Sequence, residues 1–96
     1  MESGSGPGGE VKILHIIKKT NDSSAWQTAI RQRDKKGNQV LILLIQDAVF
    51  NPIRDDMEVF ACRDDVIARG VKTEASLVGY KDIVKMLQDA DSIVCW

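Results

Sequence analysis

A thiol at the junction between a strand and a helix is the main candidate for chemistry in this chain. The apolar run Met57–Cys62 predicts a strand, and Asp64–Arg69 predicts a short helix that Gly70 ends in the left-handed conformation. Ligands and chemistry collect at the carboxyl ends of strands in an open α/β sheet. Because a helix N-terminus also favours a thiolate, Cys62 is a candidate reactive thiol.

Charged neighbours of Cys62 act on it in opposite directions. Asp64 and Asp65 disfavour a thiolate, because a nearby negative charge opposes a second one. Arg63 and Arg69 offset the two acids with positive charge. A buried structural cysteine is the alternative, since this residue type is often buried. The residues alone therefore leave both thiol chemistry and a structural role open.

Asp47, His15 and Cys95 are the remaining candidates. Asp47 directly follows the second predicted strand, where it can bind a ligand or partner, or cap the segment after it. His15 lies about 10 Å below the sheet edge, judged from the length of a strand residue. We therefore expect it in the core or in an interface, and not in a dyad with Cys62. Cys95 lies in an apolar terminal strand, where we expect a shielded and slowly reacting thiol.

The hydrophobic pattern alternates strands with helices along the chain. Val11–Lys18 and Gln39–Ile45 are nearly continuous apolar runs, typical of strands buried on both faces of a parallel sheet. The other predicted elements are a helix between Thr20 and Gly37, a loop or short helix from Gln46 to Pro52, the strand and helix around Cys62, a strand at Ala75–Val78, a helix at Tyr80–Asp89 and a strand at Ser92–Trp96. This order predicts a three-layer α/β fold, with a mainly parallel sheet of four or five strands and helices on both faces.

Length and composition narrow the class of protein. The chain has 96 residues, of which 44% are hydrophobic and 28% charged, as in one small globular domain over residues 11–96. A net charge of −1 argues against tight direct binding of nucleic acid. The longest apolar run, Val40–Ile45, is too short to span a membrane. Residues 1–10 hold four of the seven glycines and are expected to be a disordered leader.

Cysteine usage indicates a reducing compartment. Two cysteines and one histidine provide neither a disulfide framework nor a metal site. We therefore expect a cytoplasmic protein with reduced thiols, and without a metal or cofactor. Trp96 is hard to bury within one subunit at the end of the sequence, and this indicates an interface with a second copy or another protein.

Three segments together resemble the DsrE/DsrF/DsrH superfamily, and most closely its DsrH/TusB branch. They are Ile13–His15 in the first strand, Leu43–Val49 at the end of the second, and Val59–Val71 around Cys62. Tyr80, which precedes an amphipathic helix, and the terminal Trp96 also fit. The resemblance extends from about Val11 to Trp96.

The resemblance implies a small α/β sandwich that associates with paralogous subunits of the DsrE/TusD and DsrF/TusC kinds. Such complexes deliver persulfide sulfur toward 2-thiouridine in tRNA, or act in dissimilatory sulfur oxidation. Cys62, Arg69 and Gly70 match the family's active cysteine after a strand and its later Arg-Gly pair. TusB-type subunits usually lack a cysteine there. The cysteine that some DsrH proteins carry on the first helix is absent at 27–29.

We therefore expect a subunit of a cytoplasmic sulfur relay, with Cys62 as the candidate persulfide carrier and Asp47, Arg63 and Arg69 as binding residues. The sequence contains no complete catalytic constellation, which leaves the question of enzymatic activity open. A non-catalytic interaction subunit is the first alternative. A regulatory domain that binds a small ligand near Asp47 and Cys62 is the second.

Overall fold

A computed structural model describes residues 11–54 and 56–96, so the predicted leader at 1–10 lies outside the described residues. No helix in this part of the chain is both long and apolar enough to cross a membrane. The elements follow one another in the predicted order: β1 (Val11–Ile17), α1 (Ser23–Arg33), β2 (Asn38–Leu44), a 3₁₀ helix (Gln46–Phe50), β3 (Glu58–Cys62), α2 (Arg63–Arg69), β4 (Ser76–Val78), α3 (Tyr80–Asp89) and β5 (Ser92–Cys95).

The five strands form one parallel sheet with the spatial order β4-β3-β2-β1-β5. The two long apolar strands, β1 and β2, are interior and pair along their whole length, with His15 opposite Ile42. The short strands β4 and β5 are the edges. The prediction of a parallel sheet with central β1 and β2 is therefore confirmed.

Alternate residues of the strands point to two separate apolar layers, which gives the predicted three-layer arrangement. Each fully buried side chain of this kind stabilises the fold by about 1.5–3 kcal/mol. The first layer packs against α1 and α2, and it contains Ile13, Ile17, Ala25, Ala29, Val40, Ile42, Leu44, Val59, Ala61 and Val66. The second layer packs against α3, and it contains Leu14, Leu41, Leu43, Val78, Ile83, Met86 and Leu87.

Local signals in the sequence set the helix ends. Helix α1 begins where the Asp22 carboxylate accepts the Ala25 backbone N–H at 3.2 Å. Helix α2 ends at Gly70, whose φ of 61° is the predicted left-handed cap. Helix α3 begins where the Gly79 N–H donates to the Asp82 carboxylate at 3.1 Å.

Gly37 has a different role from the one its sequence position suggests. It was expected to end the first helix, but α1 already ends at Arg33. The side-chain amide of Asn38 donates to the Gln32 carbonyl at 3.0 Å and so satisfies a free acceptor of the last turn. Gly37, with a φ of 89°, instead turns the chain into β2, and its carbonyl accepts the Val11 N–H at 2.8 Å.

Candidate functional site

The connections after β3 and β4 leave the sheet on opposite faces. The chain enters α2 after β3 and packs on one apolar layer, but it enters α3 after β4 and packs on the other. Such a reversal between neighbouring parallel strands opens a crevice at their carboxyl ends, where ligands bind. Cys62 is the last residue of β3 and pairs in register with Val78 at the end of β4, so the candidate thiol lies at this crevice.

Cys62 is half-buried and immediately precedes the first residue of α2. Its backbone is extended, with φ −64° and ψ 119°, as is usual for a residue that caps a helix start. The N–H groups of the first turn of a helix have no partner within the helix, so they can stabilise an anion near the helix start. Cys62 therefore lies at the predicted junction between a strand and a helix.

Four further residues join Cys62 in a group that we call the carboxyl-edge cluster: Gln46, Asp47, Asp65 and Arg69. The Asp65 carboxylate accepts the Gln46 backbone N–H at 2.8 Å. The Arg69 guanidinium donates to Asp65 at 3.2 Å and to Asp47 at 3.0 Å. These bonds tie α2 to the turn that follows β2. They bring three of the predicted site residues, Asp47, Cys62 and Arg69, into one cluster.

Asp65 is the centre of the cluster, and sequence reasoning treated it only as an unfavourable charge. The Gln46 N–H is the main cause that lowers the pKa of Asp65, burial opposes it, and the Cys62 thiol and the Arg69 guanidinium lower it further. Asp65 is therefore ionised at neutral pH. Its spacing from Cys62 was the available signal, because side chains at the cap and third positions of a helix face each other.

The turn after β2 carries backbone strain at the cluster. Gln46 has a φ of 52°, a left-handed conformation that is uncommon for a residue with a side chain. Strain of this kind costs on the order of 1 kcal/mol and is found at sites where surrounding contacts hold it. The bond from the Gln46 N–H to Asp65 is such a contact, so the carboxylate fixes the turn beside Cys62.

Arg63, the remaining predicted binding residue, lies on the other side of the crevice. Its side chain is exposed and packs over Gly79, where a Cβ would be 3.3 Å from the guanidinium nitrogens. Arg63 therefore connects the end of β3 with the start of α3. The structure places Arg63 apart from the Asp47–Arg69 pair, at the mouth of the crevice.

The exposure of the two thiols differs from the prediction. Cys95 was expected to be shielded, but it is exposed, whereas Cys62 is half-buried. The reason is that β5 is an edge strand that pairs only with β1. The apolar layer beneath α3 includes Leu14 and Leu43 from the interior strands but not Cys95.

His15 and Trp96 form a contact that sequence reasoning missed. His15 is fully buried, which confirms the expectation of a core histidine. Its Nδ1 accepts the Trp96 indole N–H at 2.9 Å, and the two rings lie with centroids 6.1 Å apart. Trp96 is partly buried against the first apolar layer. Trp96 was expected to be hard to bury within one subunit, and the structure buries it in part, with a buried acceptor for its indole N–H in the same chain.

Comparisons with known proteins agree with the fold. No protein-family model matches the sequence, and no curated protein is significantly similar to it. The chain is similar to the crystal structure of the YchN protein from E. coli, with a TM-score of 0.75 and 13% sequence identity, over 91% of this chain and 99% of that chain. YchN has a fold of the DsrE/F/H-like kind, so the expected α/β fold is confirmed. At this identity the similarity shows the fold alone.

Proposed function

We propose that this chain is a subunit of a cytoplasmic sulfur relay of the DsrH/TusB kind and that Cys62 carries sulfur as a persulfide. The observation that carries the proposal is the place of Cys62, half-buried at the carboxyl end of β3 in the crevice beside β4. The shared fold with a DsrE/F/H-like protein supports it. The resemblance of the sequence suggests 2-thiolation of the wobble uridine in tRNA, or sulfur oxidation, as the process served.

The proposed chemistry is a transfer of sulfane sulfur between two thiols. The Cys62 thiolate attacks the outer sulfur of a cysteine persulfide on a donor protein. The sulfur–sulfur bond of the donor breaks as a new one forms on Cys62, and the donor cysteine leaves as a thiolate that takes up the released proton. The exchange involves no net oxidation or reduction, and the first-turn N–H groups of α2 are proposed to stabilise the persulfide anion.

The charged residues of the site have separate proposed roles. Arg69 pairs with both Asp65 and Asp47 and offsets one of their two negative charges, which reduces the negative charge that a persulfide anion on Cys62 meets. Arg63 and Asp47 are exposed near the thiol, where they are proposed to contact a partner subunit. Paralogous subunits of the DsrE/TusD and DsrF/TusC kinds, or a second copy of this chain, are the proposed partners.

Persulfide loading tests the proposal. The folded protein is incubated with a small-molecule persulfide donor, and each cysteine peptide is examined by mass spectrometry for a gain of one sulfur atom. We expect the gain on Cys62, its loss in Cys62→Ser, and its retention in Cys95→Ser. Sulfur found only on Cys95, or a gain that persists in Cys62→Ser, contradicts the proposed carrier.

One observation favours a second function, that of a subunit that contributes a binding surface without thiol chemistry. An ionised Asp65 lies in the first turn of α2 beside Cys62, and its negative charge opposes a persulfide anion there. Under this alternative, Cys62→Ser leaves both partner binding and sulfur delivery by the complex unchanged. Co-purification of the wild type and Cys62→Ser from the native source, followed by a sulfur-transfer assay, separates the two functions.

A further inference from the structure

His15 is a fully buried titratable group that the proposed sulfur transfer does not use. Its Nε2 lies 2.6 Å from the side-chain oxygen of Gln32 on α1, and its Nδ1 lies 2.9 Å from the indole nitrogen of Trp96. An indole N–H can only donate, so Nδ1 is the acceptor and Nε2 carries the proton. His15, Gln32 and Trp96, the buried triad, therefore hold one neutral tautomer of the imidazole.

The residues in register with His15 are uncharged. Ile42 on β2 and Val94 on β5 pair with it, so the ring lies in an apolar layer. Burial is the main cause that lowers the pKa of His15 from its ordinary value of 6.5, and the hydrogen bond to Gln32 partly opposes this effect. The surroundings thus favour the neutral form.

Charged residues on the elements next to His15 are exposed or pair with groups other than its imidazole. On α1, Arg31 is exposed, and Arg33 is paired with Asp34 at 3.0 Å and with Asp56 at 2.8 Å. Before β5, Asp91 accepts the Lys12 backbone N–H at 2.8 Å. Within the described residues, the polar contacts of the ring are those with Gln32 and Trp96. The state of His15 therefore depends mainly on burial and on these two neutral partners.

We propose that the end of β5 is a pH-sensitive latch, in which neutral His15 holds the Trp96 indole against the sheet and protonated His15 releases it. Protonation places a second N–H on Nδ1, directly facing the indole N–H. The two donors cannot bond, so Trp96 loses its buried acceptor. Because β5 is an edge strand that pairs only with β1, no further strand holds the indole, and its release exposes the ring at the end of β5.

The direction of the pH dependence follows from burial. The released state has an ordinary histidine, whereas the closed latch has a histidine of lowered pKa. At a pH between the lowered pKa of the closed latch and the ordinary value of 6.5, the released state binds more protons than the closed state. Acid therefore favours release. The latch is fully closed above pH 6.5, weakens as the pH falls below 6.5, and reaches its weakest state below the pKa of the closed form.

Nuclear magnetic resonance of the labelled protein tests the latch. The two tryptophans give separate indole N–H signals, which Trp26→Phe assigns. We expect the Trp96 signal to shift or broaden as the pH falls below 6.5, with the same midpoint as the ring signals of His15, while far-ultraviolet circular dichroism stays constant. A Trp96 signal that does not change when His15 titrates overturns the proposal. So does a change that occurs only when the whole domain unfolds.

A charge placed at the other ring nitrogen sharpens the test. In Gln32→Glu a carboxylate accepts the Nε2 proton, which favours the protonated imidazole, and we expect the midpoint to rise by about one pH unit. Gln27→Glu adds the same charge at an exposed position of α1 and is the matched control, for which we expect no shift. If the midpoint of the Trp96 signal is the same in Gln32→Glu and Gln27→Glu, the role of His15 is overturned. If Gln32→Glu does not fold, the wild-type titration decides the question.

Discussion

The carboxyl-edge cluster and the buried triad hold titratable residues under opposite conditions. The cluster lies where strands end, and its two carboxylates pair with one guanidinium near the surface. The triad lies in the middle of β1, and its histidine is held neutral between an amide and an indole. A charge buried without a partner is costly, so a position within the sheet selects the neutral form.

The two thiols also differ in their surroundings. Cys62 belongs to the charged cluster and is half-buried, whereas Cys95 lies one residue before Trp96 and is exposed. Exposure makes Cys95 the more accessible thiol, whereas charged groups surround Cys62. The proposed persulfide carrier is therefore the less exposed of the two cysteines.

Removal of Trp96 is expected to have the largest effect on stability. Trp96→Ala removes a large side chain from the first apolar layer and leaves Nδ1 of His15 without a donor. We expect a loss of about 2–4 kcal/mol in the free energy of unfolding, measured with urea at pH 7.5. Trp96→Phe keeps a ring and loses only the N–H, for which we expect about 1 kcal/mol. The absence of a loss in Trp96→Phe contradicts a role for the hydrogen bond, and equal losses in both variants contradict a role for the packed ring.

Neutralisation of Asp65 is expected to have a smaller effect on stability and a clear effect on the thiol. In a Cys95→Ser background, Asp65→Asn removes the negative charge beside Cys62 and weakens the bond from the Gln46 N–H. We expect alkylation of Cys62 by iodoacetamide at pH 7 to become roughly 3–10 times faster, because the thiolate is no longer opposed. The loss of stability should be about 1 kcal/mol.

Asp64 provides the matched control for Asp65, because it is the adjacent acid in the same turn of α2 and is exposed. Asp64→Asn should change the alkylation rate of Cys62 less than Asp65→Asn does. If both substitutions accelerate alkylation equally, the general charge of the helix start matters and the contact of Asp65 with the thiol does not.

The interior of the sheet was predictable from the sequence, because β1 and β2 are buried on both faces and read as continuous apolar runs. The bounds of α3 were also predictable, because its apolar residues recur at helical spacing. The position of β5 at an edge was not predictable. It depends on α3 crossing the sheet, and a short apolar strand has the same sequence pattern at an edge as in the centre.

The carboxyl-edge cluster and the buried triad also differ in how far the sequence predicts them. The strand-to-helix junction at Cys62 is a local pattern, so its place at the sheet edge followed from neighbouring residues. The contact between His15 and Trp96 joins residues 81 positions apart and depends on β5 pairing with β1. Nothing local to either residue indicates the other, so this contact was not predictable from the sequence pattern.

The smallest effect is expected for Asp47, and it tests what exposure does to an ion pair. Arg69 donates to both Asp47 and Asp65 at similar distances, 3.0 and 3.2 Å, but the Asp47 side chain is 69% exposed and that of Asp65 is 26% exposed. Water competes with the guanidinium at Asp47, so this pair contributes little to stability. We expect Asp47→Asn to change the free energy of unfolding by less than about 0.5 kcal/mol, and less than Asp65→Asn does. Because distance is nearly the same for both carboxylates, a loss at Asp47 equal to that at Asp65 would mean that Arg69, and not the backbone N–H of Gln46, holds α2 against the turn after β2.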